Sequence, residues 1–488
     1  MLVVALAMGL SIGATAAPAT AKVATLRVVG EPALFPKFRR SIPDYVAQCI
    51  PGQPMRVSIT VPRDTTVSVD KRAARKRSFA ANVDVLSDES FRIVVTTRHR
   101  QHRRQQRYSV RCLPTDFPAW TAEKPGRPQA EWYVVAPCCT PDSTYVAIFD
   151  TNGVPVWWIN TQLPPLDASL LPDGNVAWAQ QHGQDLAPGV SSGTYEEHNF
   201  AGNLVRTFSI PNGIPTDRHE MQLLPNGNYV VVAYSPRDGV DLSPYGGPPD
   251  ATVLDALVEE ITPDRQVAWT WRSSDHIALA DTGRWYHDGV LDHPVPLRDG
   301  TMAYDLVHIN AVDPYGPDRF LVSLRHTDSI YAIDKASGNV VWRLGGTSTP
   351  SNLKILGDDV PDFGGQHDVR ALPDGTISLY DNGTGRGRPP RALRFRIDET
   401  QRTATLIQRL SDPAAIESPC CGSARRLPGG NWVISWGGTE LVTETTRTGK
   451  RVFGLQFQAL MSYRAFPVLP GRLSRPTLRF GMDLMHPR

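Results

Sequence analysis

Four stretches of the chain repeat one pattern, a Leu-Pro pair running into a tight turn and then a β-rich run. They are LLPDGNVAWAQ from Leu170, LLPNGNYVVVAY from Leu223, ALPDGTISLYDN around Leu372 and RLPGGNWVISWGG around Leu427. An Asp/Asn/Gly-Gly turn before alternating apolar residues is a hairpin signal. A second element alternates with the first: AIFDTNGVPVWWIN from Ala147, NFAGNLVRTFSI from Asn199, EITPDRQVAWTWR from Glu260, AIDKASGNVVWRL from Ala332 and TTRTGKRVFGLQF from Thr445. Each reads as strand, turn, strand, often ending in Trp. Residues 304–346 hold the best-formed copy of the whole unit. About six units fit between 131 and 460, spaced roughly 45–60 residues apart, as four-stranded blades with loop insertions require. The insertions fall at 238–255 and 278–299. The fold class predicted is all-β, a six-bladed β-propeller over 131–488 with a small N-terminal β-sandwich-like domain over 22–130.

That N-terminal domain shows alternating β patterns at 55–69, 91–97 and 108–112, and KPGRP at 124–128 reads as the linker. Residues 1–21 read as a signal peptide, with an apolar stretch and a small-residue cleavage pattern at Ala19-Thr20-Ala21 but no positive start. No interior run of 18 apolar residues occurs, so no membrane span is expected. Export is the predicted localisation: secreted, periplasmic or cell-surface. The six cysteines fit an oxidising compartment. Cys49 and Cys112 are expected to pair, while Cys138-Cys139 and Cys420-Cys421 have three options: closing within each pair, cross-linking, or binding metal. The formal net charge is only +2, which argues against a dedicated polyanion binder. The basic run at 98–107, RHRQHRRQQR, reads first as a solvated hairpin and second as a patch for an acidic polymer or nucleic acid.

Counting eight residues back from each turn glycine gives His219 from Gly227, His308 from Gly316 and His367 from Gly375, but Leu166 from Gly174 and Gly422 from Gly430. A single histidine reads first as a hydrogen-bonded structural residue. Three consecutive units with histidine at one register predict imidazoles facing one pocket at the channel mouth. Arg325 closes a strand on the same side, and Tyr234, Asn382 and Gln181 stand at corresponding positions. Imidazoles with a guanidinium and no carboxylate in register suit an oxyanion such as sulfate or phosphate. They leave a transition metal as the lesser reading, and no metal or cofactor is expected.

RHEMQLLPNGN (218–228), DLVHINAVD (305–313), 320–346, FGGQHDVRALPDG (363–375) and GSARRLPGGNWVISWGG (422–438) together resemble the bacterial arylsulfate sulfotransferase family, in a divergent, actinobacterial-like branch. SYRAFPV at 462–468 looks familial as well. The resemblance implies transfer of a sulfuryl group from a phenolic sulfate ester to a phenol, ping-pong, through a sulfohistidine and without a nucleotide donor. It implies His367 as the nucleophile and His308 as the group that moves the phenol's proton. His219 and Arg325 take the remaining sulfate-binding positions. Asn310 either orients His308, contacts sulfate or serves a turn, and Tyr234 and Asn382 are further candidates for binding substrate. Tyr245, Trp285 and Tyr286 are read either as a stacking surface for a phenol or as surface loop residues. The partners expected are aryl sulfates and phenols, with no nucleic acid and no stable membrane insertion; a homodimer stays open. Two other functions compete: a quinone-dependent dehydrogenase-like propeller and a non-catalytic binding propeller on the cell surface.

Overall fold

The computed structural model describes residues 25–99, 102–138, 144–181, 193–211 and 213–488. The expected signal peptide and Cys139 lie outside them. The turn chemistry read from the sequence is realised locally. Gly174, Gly227, Gly375 and Gly430 all take positive φ, and each donates its N–H to the leucine three residues earlier. Glycine is favoured there because a Cβ penalises the left-handed conformation.

These hairpins build successive four-stranded antiparallel sheets, the blades of a β-propeller. One runs Thr216–Leu223, Tyr229–Val240, Ala251–Ile261, Val267–Arg272; the next runs Ile309–Pro314, Arg319–Leu324, Ser329–Asp334, Val340–Gly345. His367–Ala371 and Ser423–Arg426 begin the two that follow. Pro165–Leu170 begins the one before them, which is joined to its neighbour by the Gly193–Thr216 pairing. The ring closes where the late strand Met461–Val468 pairs with Trp132–Cys138. The recurrent Trp at the end of an outer strand has a physical role. Its indole N–H bonds to the next blade: Trp157 to Phe200 O at 2.9 Å, Trp271 to Gly338 O at 3.0 Å, Trp342 to Glu399 at 3.2 Å. A buried indole needs an acceptor, and the neighbouring turn supplies one.

The N-terminal strands form a three-stranded sheet and a four-stranded sheet. Alternating burial along Met55–Thr60 and Thr65–Val69 places Val57, Ile59, Val67 and Val69 in their shared core. Cys49 and Cys112 are disulfide-bonded. The expected boundary near 130 needs correction. Trp120–Glu123 pairs with Arg451–Phe457 and so extends a propeller sheet, anchored by the Trp120 indole on Gly153 O.

Two further corrections concern the insertions and the C-terminus. The insertion expected at 238–255 is shorter than read: the pairing of Tyr229–Val240 with Ala251–Ile261 continues out to Val240 and Ala251, and only 241–250 form the loop between them. The chain ends in a helix, Arg475–Met485, that strand periodicity concealed. Ser474 caps it, and Leu478, Gly481 and Met482 face the propeller. Gly481 lies so close to Phe200 that a Cβ would meet its carbonyl at 2.1 Å. The other face reaches the N-terminal domain, where Arg479 Nε donates to Asp44 at 2.6 Å and Asp483 accepts from Ser90 at 3.0 Å. The helix is a wedge between the two parts of the chain.

Leu478 is fully buried at this wedge. Leu478→Ala is expected to destabilise the protein by about 2–4 kcal/mol. Urea unfolding checks this as a lower midpoint at unchanged slope.

Candidate active site

The histidine register converges in space. Leu166, His219 and His367 sit on innermost strands, and His308 and Gly422 immediately precede theirs. At this height the pairing slips on several inner strands: between Leu166 and Ser169, Thr216 and Met221, Ile309 and Ala311, His367 and Arg370, and Ser462 and Ala465. Bulges re-aim side chains and break the simple alternation. Asp167, His308 and Asp368 take positive φ here, a conformation that non-glycine residues hold only where the surroundings enforce it.

The bulges let adjacent residues serve different layers. His219 and His308 meet ring to ring, centroids 5.1 Å apart and nearly perpendicular. Tyr463 from the closing strand sits against His219 at 5.6 Å and His367 at 6.4 Å, completing the cluster. The next residue of two of these strands enters a buried ionic layer. Glu220 and Asp368 both accept from Arg370, at 2.7 and 2.8 Å. Arg425 reaches Asp368 at 2.7 Å, and Arg464 reaches Asp167 at 2.8 Å and Glu220 at 3.0 Å.

Each imidazole is anchored through Nδ1. His219 bonds to Asp217 and His308 to Asp305 at 2.6 Å; His367 bonds to the Gly365 carbonyl at 3.0 Å. A carboxylate or carbonyl only accepts, so each ring carries a proton on Nδ1 and turns Nε2 to the site, as a lone pair where the ring is neutral. This corrects the expectation of a site without carboxylates. Asp217 and Asp305 back two of the three histidines, and only His367 rests on a neutral oxygen. Burial, then the positive charge of Arg325, pushes the His367 pKa well below its ordinary value. Burial also lowers that of His308, opposed by Asp305. Burial opposes ionisation of Asp305, yet His308 and His326 hold it below the usual carboxylate range.

Arg325 opens the short 3-10 turn Arg325–Thr327 rather than ending the strand. Its guanidinium donates to Pro419 O at 2.8 Å and lies over the Trp285 ring at 4.2 Å. Trp285 is therefore neither a free stacking surface nor a surface loop residue. Tyr245 and Tyr286 likewise stack on each other at 4.5 Å. Asn310 donates to Gln366 O at 2.8 Å, so its side chain supports the approach to His367 rather than orienting His308. Asn382 bonds to Gly365 O and Cys421 O and lies 3.1 Å from His367 Nδ1. Tyr234 flanks His308 at 6.4 Å and directs its hydroxyl to Ile309 O at 3.4 Å. Gln181 ends the strand Val176–Gln181 of the blade whose register residue is Leu166.

Residues that the sequence reading passed over are His326, Tyr463 and Asp217. His326 lies between His308 and Trp285, both 4.8 Å away, with Nδ1 on the Asp305 carbonyl at 2.7 Å. The signal for it was present in the RHTD that continues from Arg325. Asp305, His308 and His326 bring ligand-type atoms within 4.8 Å of one another. Asp305 takes the Nδ1 of His308 on its Oδ2 and that of His326 on its carbonyl, so it holds both rings in place. Cys420 and Cys421 are free thiols, their sulfurs 2.7 Å apart, so they form neither their own bridge nor a cross-link. The hydrogen bond from Cys421 lowers the Cys420 pKa against the effect of burial.

Residues 167–458 match the model of the family described as Arylsulfotransferase (ASST). No curated protein matches the chain. Among solved structures, a Bacteroides caccae protein of unknown function is similar at 11% identity, covering 70% of this chain and 99% of its own, with a TM-score of 0.41. A quinonprotein alcohol dehydrogenase-like protein from Bacteroides thetaiotaomicron is similar at 7% identity, over 92% of this chain and 99% of its own, with a TM-score of 0.34. A catalytically inactive virginiamycin B lyase from Staphylococcus aureus is similar at 8% identity, over 69% and 99%, with a TM-score of 0.33.

The buried imidazoles make stability depend on pH. His326 is held neutral by burial, its pKa lowered to about 3. An unfolded histidine titrates near 6.5, so between these values the unfolded chain binds more protons and stability falls as pH drops. Asp313, raised to about 6 by burial, contributes with the opposite sign. The His326→Asn variant isolates the imidazole part. Its melting temperature is expected to fall less steeply than that of the wild type between pH 6.5 and 5, as read by thermal scans.

Proposed function

The chain belongs to the arylsulfotransferase family, and on that premise we propose that it moves a sulfuryl group from a phenolic sulfate ester to a phenolic acceptor, ping-pong, through His367. The observation that carries this reading is the contrast among the three imidazoles. His367 is neutral, with Nδ1 spent on a backbone carbonyl, whereas His219 and His308 are backed by carboxylates. A ring that stays unprotonated and keeps its Nε2 lone pair is suited to attack sulfur. A ring backed by a carboxylate is suited to take and return a proton, because the anion stabilises the imidazolium.

In the first half-reaction His367 Nε2 forms a bond to sulfur and the bond from sulfur to the aryl oxygen breaks. The aryl oxygen leaves with that electron pair and takes the Nε2 proton of His308, a proton that His308 takes up from solvent as the sulfate anion binds and that Asp305 stabilises on the ring. Arg325 holds the non-bridging oxygens while charge builds on the leaving group, and His219 joins it through an Nε2–H when its ring is the imidazolium that Asp217 balances. In the second half-reaction a phenol gives its proton to His308 and its oxygen attacks sulfur. The N–S bond pair returns to His367. Gly365 keeps Nδ1–H in place through both halves.

A six-bladed ring belongs to this reading, supported by the succession of four-stranded sheets. Export belongs to it too, supported by the Cys49–Cys112 disulfide. Small aryl sulfates and phenols are the partners it requires.

Brief exposure to 4-nitrophenyl sulfate, followed by peptide mass spectrometry, is expected to find one added sulfuryl group on the peptide holding His367. His367→Asn is expected to carry none and to lose transfer by about 10³-fold or more. Wild-type protein that neither gains the group nor releases 4-nitrophenol would sink the proposal. Because the His367 pKa is lowered, its ring stays neutral below the ordinary imidazole range. The acid limb of kcat/KM for the donor is therefore expected below pH 6.5, checked by a pH–rate profile.

A further inference from the structure

Arg325 and His367 come from different blades, yet one carboxylate touches the supports of both. Asp328 is buried and lies three residues after Arg325, with positive φ at the end of the same turn. Its Oδ1 accepts the Gly365 N–H at 2.8 Å and the Trp285 indole N–H at 3.0 Å. Gly365 is the residue whose carbonyl anchors His367 Nδ1, and Trp285 is the ring on which the Arg325 guanidinium lies.

Two arginines from separate loops complete the shell of Asp328. Arg284 donates through Nε at 2.7 Å and Nη2 at 3.1 Å, and Arg386 donates at 3.0 Å. Arg284 also donates to Thr384 O at 2.9 Å, which closes the 278–299 segment onto the loop beyond Asn382. Five donors converge on two buried oxygens. A half-satisfied buried network of this kind is costly, so its members fix one another's positions.

We propose that Asp328 is a positioning residue that aligns the nucleophile with the sulfate clamp. It fixes the Gly365 peptide, and through it the tautomer and aim of His367; it also fixes the indole that orients Arg325. Asp328 contacts neither reacting ring, so its effect passes through Gly365 and Trp285. A shift of either element by about 1 Å reduces transfer by about a hundredfold. The inference rests on the sulfuryl-transfer reading for its rate effect, but not for its effect on the ring of His367.

The test compares wild type, Asp328→Asn and Asp358→Asn. The last loses a buried carboxylate bonded to Arg391 Nη1 at 2.9 Å, which touches neither Gly365 nor Trp285. The first readout is the single-turnover rate of 4-nitrophenol release, taken well below each protein's melting temperature. Asp328→Asn is expected to fall about 10- to 100-fold, with the KM of the acceptor phenol changed less than threefold, while Asp358→Asn stays within about twofold of wild type. The second readout is ¹⁵N NMR of labelled histidine, with His367 assigned by the loss of its signals in His367→Asn. Wild type is expected to give the single Nδ1–H form, and Asp328→Asn a mixture of tautomers. An Asp328→Asn protein that folds, keeps the single tautomer and turns over within twofold of wild type, or that loses activity only as Asp358→Asn does, overturns the inference. If the wild type transfers nothing, the sulfuryl-transfer reading fails and the tautomer alone decides the role of Asp328.

Discussion

The propeller is organised around three guanidiniums on its axis, those of Arg370 and Arg464 buried and that of Arg425 partly so. Arg464, from the closing strand, reaches four other inner strands. It touches Asp167, Glu220, the Asn310 carbonyl at 2.8 Å and Asp368 at 3.4 Å. Arg370 adds Glu220, Asp313 and the Val312 carbonyl, and Arg425 adds Asp368. Removing one partner from a buried pair costs about 3–5 kcal/mol, because the other charge is left unpaired in a medium that solvates it poorly. Replacing whole pairs by apolar residues is often neutral, so the layer is better understood as a device for specificity. It is satisfied only when every inner strand stands at one height.

That demand shapes the site above it. A strand that sends one side chain into the ionic layer and the neighbouring one into the imidazole cluster cannot keep strict alternation. The bulges and the positive φ at Asp167, His308 and Asp368 are the consequence. The local backbone strain is tolerated because ion pairs and hydrogen bonds on both sides over-determine it. The cluster is thus buried and held in place. Burial lowers the pKa of His308 and His367, and the Nδ1 anchors set the tautomer, so nucleophilic and proton-moving capacity are divided by which oxygen lies behind each ring.

Much of the fold was legible because blades repeat. Turn glycines such as Gly227 and Gly375 need a left-handed backbone wherever the hairpin occurs, and Trp157, Trp271 and Trp342 each need an acceptor on the next blade. The histidine register was legible for the same reason: equal distance from equivalent turns means equal height on the axis. Contacts between distant residues were not. Arg464 and Asp167 are 297 residues apart, and nothing local marks SYRAFPV as the strand that closes the ring. The helix at Arg475–Met485 and the outer strand at Trp120–Glu123 were missed because each is stabilised by another part of the chain rather than by its own pattern.

The sequence by itself determined the repeat, the turn chemistry and the fact that His219, His308 and His367 stand at one register with Arg325 nearby. These follow from local backbone preference and from a fixed number of residues between turn and axis. The tertiary structure alone decided what stands behind each ring: Asp217 and Asp305 for two of them, a peptide carbonyl for the third. It also turned Trp285 from a loop aromatic into the support of Arg325. Such pairings depend on bulges and on burial, which arise only when all the blades are packed and water has been excluded.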